Sequence, residues 1–367
     1  MNVVSMRRLP SFAILGLALW AVGCESSSSG TGADSETGIV DPSADAGEST
    51  TSGPPGTTSG VDGGTTSLAE STSSSSSEGV HEEGPIIFDV VSVPDAPMIQ
   101  DGCNAVDFLF VIDDSGSMFD KQQNLINNFP VFSAGIQSTL QNVTSYQVGV
   151  VATDAYAYND PPCGMLGDLV ISTQGGFDSS NAVCGPYEEG HNYMTEEDDL
   201  DTSFACAAQL GTYGDGFEKP MEAMVNTVGP MHDEDGECNE GFIRDEALLV
   251  IVIITDEYDG MGDPEGFGGF SAGDPQSWYD AVVEAKDGIP QNAVVMSLIN
   301  YYATGDEPPS PCQPIDGYSD GVNIKTFTQM FEENGFIGGI CQPDYGPIFE
   351  EAIGVIETAC DNFIPPG

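Results

Sequence analysis

Val106-Asp107-Phe108-Leu109-Phe110-Val111-Ile112-Asp113-Asp114-Ser115-Gly116-Ser117-Met118 joins an apolar run to a turn of oxygen-bearing side chains. From Phe108 to Ile112 no polar residue alternates with the apolar ones. That pattern fits a strand covered on both faces, as in a parallel sheet, better than one with a wet side. The run stops at Asp113, and hydroxyls follow at Ser115 and Ser117. Gly116 between them is expected to let the backbone curl so that the three side chains converge. Hard cations such as Mg²⁺ take oxygen sets of this kind and leave other positions to water or an external ligand.

Working outward, further strands are expected at 147–152, at the apolar run 247–254, at 293–299, and at a possible edge over 168–172. Helical patterns fall at 121–140, broken or kinked near Pro130, and at 217–228, 277–286, 324–334 and 348–360. A lead-in strand is expected at 86–93. Strand alternating with helix predicts an α/β domain with a doubly wound, mostly parallel sheet flanked by helices. The strong strand at 248–254 ends in Thr255-Asp256. In doubly wound sheets ligands sit outside the carboxyl ends of strands, where the winding reverses. Asp113 and Asp256 are therefore expected to share one ion.

The stretch from Phe110 to Met118, with Thr255-Asp256 downstream, resembles the D-x-S-x-S motif of von Willebrand factor A domains and their metal-ion-dependent adhesion site. The likeness spans roughly residues 101–360. It implies that Ser115 and Ser117 bind metal directly, Asp113 directly or through water, and that Asp256 does so from the end of the fourth strand. It also implies a threonine from a further loop. Gly211-Thr212 resembles the usual Gly-Thr, which makes Thr212 the candidate, with Thr153 competing. Two departures stand out: Glu257 follows Thr255-Asp256 where glycine is frequent, and Asp114 occupies a position commonly apolar or neutral. If those carboxylates reach the ion, Ca²⁺ or Mn²⁺ becomes favoured over Mg²⁺. The family's domain ends lie close together and some members join them covalently, which implies a Cys103–Cys360 disulfide. The function implied is adhesion or interaction: a cation grips an acidic group on a protein or surface ligand.

The rest of the chain places that domain. Residues 1–23 read as a signal peptide: Arg7 and Arg8 precede an apolar run too short to span a bilayer comfortably. Ala21-Val22-Gly23-Cys24 resembles the lipobox at which bacteria cleave and lipidate, so Cys24 is the expected lipidation site. Glu25 permits an outer-membrane, surface-exposed destination in the cell envelope, with membrane contact by the lipid anchor alone. Residues 24–84 are rich in Ser, Thr and Gly and poor in large apolar groups, hence a disordered tether. At about 60 residues its root-mean-square reach is roughly 40 to 45 Å. The A-type domain is expected over 85–367, with a long polar insertion at 154–208 acting as a disulfide-stapled cap.

Of 9 cysteines, those besides Cys24 are Cys103, Cys163, Cys184, Cys206, Cys238, Cys312, Cys341 and Cys360. An even set in an oxidising compartment predicts disulfides. With only 3 histidines and no C-x-x-C spacing, a Cys/His zinc site is disfavoured. Net charge is -52, from 59 acidic against 7 basic residues, which excludes nucleic acid as a direct partner and favours cations. Most of that acid, including 196–199 and 233–235, reads as solvated surface suited to a salty or calcium-rich medium. Gly317-Tyr318-Ser319-Asp320-Gly321 matches the hydrolase elbow G-x-S-x-G, but no buried strand precedes it and every histidine lies upstream. No enzymatic activity is expected. The competing class is an acidic structural surface protein whose metal only stabilises the fold.

Overall fold

Five parallel strands form one sheet in the order β2-β1-β3-β4-β5. They are β1 Ala105–Ile112, β2 Ser145–Ala152, β3 Leu248–Ile254, β4 Ala293–Ile299 and β5 Gly335–Gly339. The computed structural model describes residues 102–367 other than 141–142, 160, 162, 217, 231–235, 260–269 and 304–319. All of these belong to the unit Phe88–Gly367. The signal segment, Cys24, the tether, the lead-in strand at 86–93, Cys312 and Ser319 lie outside the described residues.

The three inner strands β1, β3 and β4 are buried along their whole length, as continuous apolar runs require. The outer strands β2 and β5 are buried only toward their carboxyl ends. Among the described residues six α-helices cover the sheet: α1 Phe119–Thr139, α2 Leu200–Ala208, α3 Pro220–Val228, α4 Pro275–Glu284, α5 Val322–Gln329 and α6 Gly346–Asp361. The helices α1, α2 and α6 pack together on one face, and α3, α4 and α5 on the other. For α1 and for α3, α4 and α5 this division follows from right-handed crossovers, since β1 to β2 steps one way across the sheet and β2 through β5 step the other. On the α1 face, Phe110 meets Phe129, Phe132 and Phe204 edge-on, and Phe129 stacks on Phe204 at 3.6 Å between centroids.

Several expectations shift. Helix α1 runs unbroken through Pro130, which removes one donor but does not end it. Residues 168–172 form no strand: Val170 donates its N–H to the Val150 carbonyl, but the N–H groups of Ile171 and Ser172 go to Asn159 Oδ1. Among the described residues Asp256 follows the third strand in chain order. The insertion contains α2, whose apolar Phe204, Ala207 and Ala208 face the core. It is stapled internally by Cys184–Cys206 and to the loop before β3 by Cys163–Cys238. Cys103 pairs with Cys360, with Cα atoms 4.8 Å apart, and Cys341 is also disulfide-bonded.

Candidate metal centre

The winding reverses between β1 and β3, which are neighbours although β2 intervenes in sequence. Asp113 and Asp256 leave the carboxyl ends of those two strands. The pairing runs on past the strand ends, since Asp113 N–H donates to the Ile254 carbonyl at 3.0 Å. This fixes Thr255 against Asp113: its hydroxyl donates to Asp113 Oδ2 at 2.6 Å. The Ser115 N–H donates to Asp113 Oδ1 at 2.7 Å, so the turn closes on its own carboxylate. Ser117 Oγ donates to Asp256 Oδ1 at 2.7 Å and lies 3.3 Å from Ser115 Oγ. Two segments 139 residues apart thus present hydroxyl and carboxylate oxygens at one rim. Nothing lies within 4 Å of a Cβ built on Gly116, so the turn does not demand glycine there.

Two features of the turn come from α1. Lys121, in the first turn of the helix, donates to the Ser117 carbonyl at 2.7 Å and stands 3.3 Å from Asp256 Oδ2. One of the chain's 7 basic residues is thereby placed beside the oxygen cluster. Gln122 is buried, donates to the carbonyls of Asp113 (2.9 Å) and Gly211 (2.8 Å), and accepts from the Gly211 N–H (3.1 Å). It clamps the loop at 211 to the end of β1. Gln122→Met keeps the shape but leaves three backbone groups without partners, and should cost about 2 kcal/mol in urea denaturation. A loss near zero would show that the clamp carries no strength.

Neither candidate threonine hydroxyl is bonded to Asp113, Ser115, Ser117 or Asp256. The Thr212 hydroxyl donates to Asp178 Oδ2 at 3.2 Å, in the insertion. Thr153 is buried at the end of β2, and its hydroxyl donates to Glu218 Oε2. Instead the loop ahead of α3 sends a carboxylate, Glu218, toward Asp113. Burial, then the negative charges of Asp113 and Asp114, push the Glu218 carboxyl up to about 10. Burial also raises Asp113 to about 6, opposed by the Thr255 hydrogen bond and reinforced by Asp256. Asp114 is 2 % exposed and is held well above the usual carboxylate range by burial and by the charges of Asp154 and Asp113. The sequence pattern singles out Asp114 but gives no hint of Asp154 or Glu218. The one signal it offers is an acid directly preceding Lys219-Pro220 at a helix start.

The donor set suits a hard cation: carboxylates and hydroxyls, no sulfur or imidazole, and an open side at Ser117 and Asp256. Among the described residues, no group of three or more His, Cys, Asp or Glu is pre-assembled to hold a metal. The four residues supply two carboxylates and two hydroxyls, the composition of a partial shell rather than a closed cage.

No protein-family model matches the chain, and no curated protein matches it. Among solved structures, proximal thread matrix protein 1 from the mussel byssus is 11% identical, with 70% of this chain and 49% of that one covered and a TM-score of 0.34. The pilus adhesin SpaC from Lactobacillus rhamnosus GG, in an open conformation, is 14% identical, with 70% and 30% covered and a TM-score of 0.34. The chain thus spans less than half the length of either.

Proposed function

We propose that this chain is a non-enzymatic binding module of the von Willebrand factor A type, holding one divalent cation with Asp113, Ser115, Ser117 and Asp256. The observation that carries this is the 2.7 Å contact between Ser117 and Asp256 at the winding reversal of the sheet. When bound, the ion, Mg²⁺ or else Ca²⁺ or Mn²⁺, supplies a positive centre with positions left for an outside oxygen ligand. The chain's own groups do the rest. Thr255 and the Ser115 N–H hold both oxygens of Asp113 in place. Lys121 offsets the charge of Asp256 and presents a second positive group to an acidic partner. Lipidation at Cys24 would anchor the chain to the cell envelope, with the tether carrying the domain outward.

Pull-down by the purified chain should recover its partner with Mg²⁺ present and lose it in EDTA. Ser117→Ala should lose it as well, while shifting the melting temperature by less than about 2 °C, as for an exposed substitution. A Ser117→Ala protein that binds its partner normally would sink the proposal. One that loses EDTA-sensitive thermal stability instead would assign the ion a structural role.

A further inference from the structure

Beside the strand-end group, on the β2 side, three more carboxylates are turned inward. Asp114, Asp154 and Glu218 come from the β1 turn, the end of β2 and the loop before α3. Each has an oxygen without a partner. Glu218 Oε2 accepts from Thr153, and Asp154 Oδ2 accepts from the Asp215 N–H at 2.9 Å. By contrast Glu218 Oε1, Asp154 Oδ1 and Asp114 Oδ1 are buried and have no hydrogen-bond partner. Asp114 and Glu218 are each 2 % exposed. The backbone crowds in as well: a Cβ on Gly214 would lie 2.6 Å from the Asp114 carboxyl carbon, and the Gly214 N–H donates to the Asp114 carbonyl.

A native fold rarely leaves even one buried carboxylate oxygen without a partner. Three from three separate segments, acting on one another electrostatically, point to something that all three would ligate. Among the described residues, no arginine, lysine or histidine donates to these oxygens. We propose that Asp114, Asp154 and Glu218 hold a second divalent cation, of the calcium class, adjacent to the ion at Asp113, Ser115, Ser117 and Asp256 but separate from it. Three carboxylates suit Ca²⁺, which accepts carboxylate-rich, irregular oxygen shells that Mg²⁺ does not. The ion's charge would draw the three carboxylates together. The site stands whether or not the strand-end group binds metal.

Equilibrium dialysis of the purified chain against Ca²⁺ in physiological salt tests this. Wild type should bind two ions per chain with site-like affinity. Glu218→Gln and Asp114→Asn should each bind one, Ser117→Ala should bind one, and the Glu218→Gln, Ser117→Ala double variant should bind none. Ca²⁺ binding that Glu218→Gln removes and Ser117→Ala leaves intact would support the second site even if the first failed. Undiminished binding by both Glu218→Gln and Asp114→Asn would overturn it. So would loss of all binding in both Glu218→Gln and Ser117→Ala, which would mean one shared ion. In EDTA, Glu218→Gln should melt no lower than wild type, because the amide keeps the shape of the side chain and an acceptor for Thr153. In Ca²⁺ it should lose most of the upward shift that wild type shows. A variant that melts far below wild type in EDTA would make Glu218 a structural acceptor and refute the site.

Discussion

Serine at both Cys103 and Cys360 is expected to lower the free energy of unfolding by about 5 kcal/mol, several times what a single hydrogen bond contributes. The bond closes a loop of 257 residues, and the entropy removed from the unfolded chain grows with the logarithm of that length. The native geometry is ready without the bond: Cys103 N–H donates to the Cys360 carbonyl at 2.9 Å, and both residues are buried. The variant should therefore keep its fold and its near-ultraviolet spectrum while its denaturation midpoint falls. A loss under about 1 kcal/mol would show that the unfolded chain is already compact enough to bring its ends together.

Arg244→Met should cost about 3 to 5 kcal/mol, because it strands a charge in the middle of the sheet. Asp107 lies in β1 and is 0 % exposed. Arg244 donates to both its oxygens, from Nε at 2.8 Å and from its own backbone N–H at 2.8 Å, and reaches Ser145 Oγ at 2.8 Å. Even with that partner, burial pushes the Asp107 carboxyl up to about 6 from its ordinary 3.8. Raised in the folded state, the group stabilises most below its unfolded value and gives this up as pH rises through the folded one. The deficit of Arg244→Met should therefore shrink as pH falls from 7 toward 4. Adding Asp107→Asn should restore most of the loss at pH 7, and failure to do so would assign Arg244 a packing role instead.

Much of this architecture can be read from the residues because the inner strands have no polar face. The runs at Phe108, Leu248 and Ala293 announce burial on both sides, and a doubly wound sheet follows from their alternation with amphipathic stretches. Strand β5 is silent in the sequence because Gly335–Gly339 carries only Phe336 and Ile337 as apolar side chains among three glycines. Helix α2 is hidden by the acidic residues before it, which make the whole insertion look like loop. The segment 168–172 has strand composition, yet Asn159 takes the hydrogen bonds a neighbouring strand would need. At the candidate site, the strand-end residues are legible from position alone, since a carboxylate after each apolar run falls at the same rim. The loop contribution is not. Thr212 and Glu218 are both polar and stand six positions apart, and only packing decides that one bonds Asp178 while the other turns in toward Thr153.

The covalent clasp at Cys103–Cys360 and the oxygens after Ile112 sit at opposite ends of β1, an 8-residue strand about 26 Å long. Traction applied between those two poles runs lengthwise along the central strand. Its covalent backbone would then carry the load in tension, and its bonds to β2 and β3 would not be peeled one after another. The clasp also hands part of the pull to α6, so the load divides between a strand and a helix before either can give way.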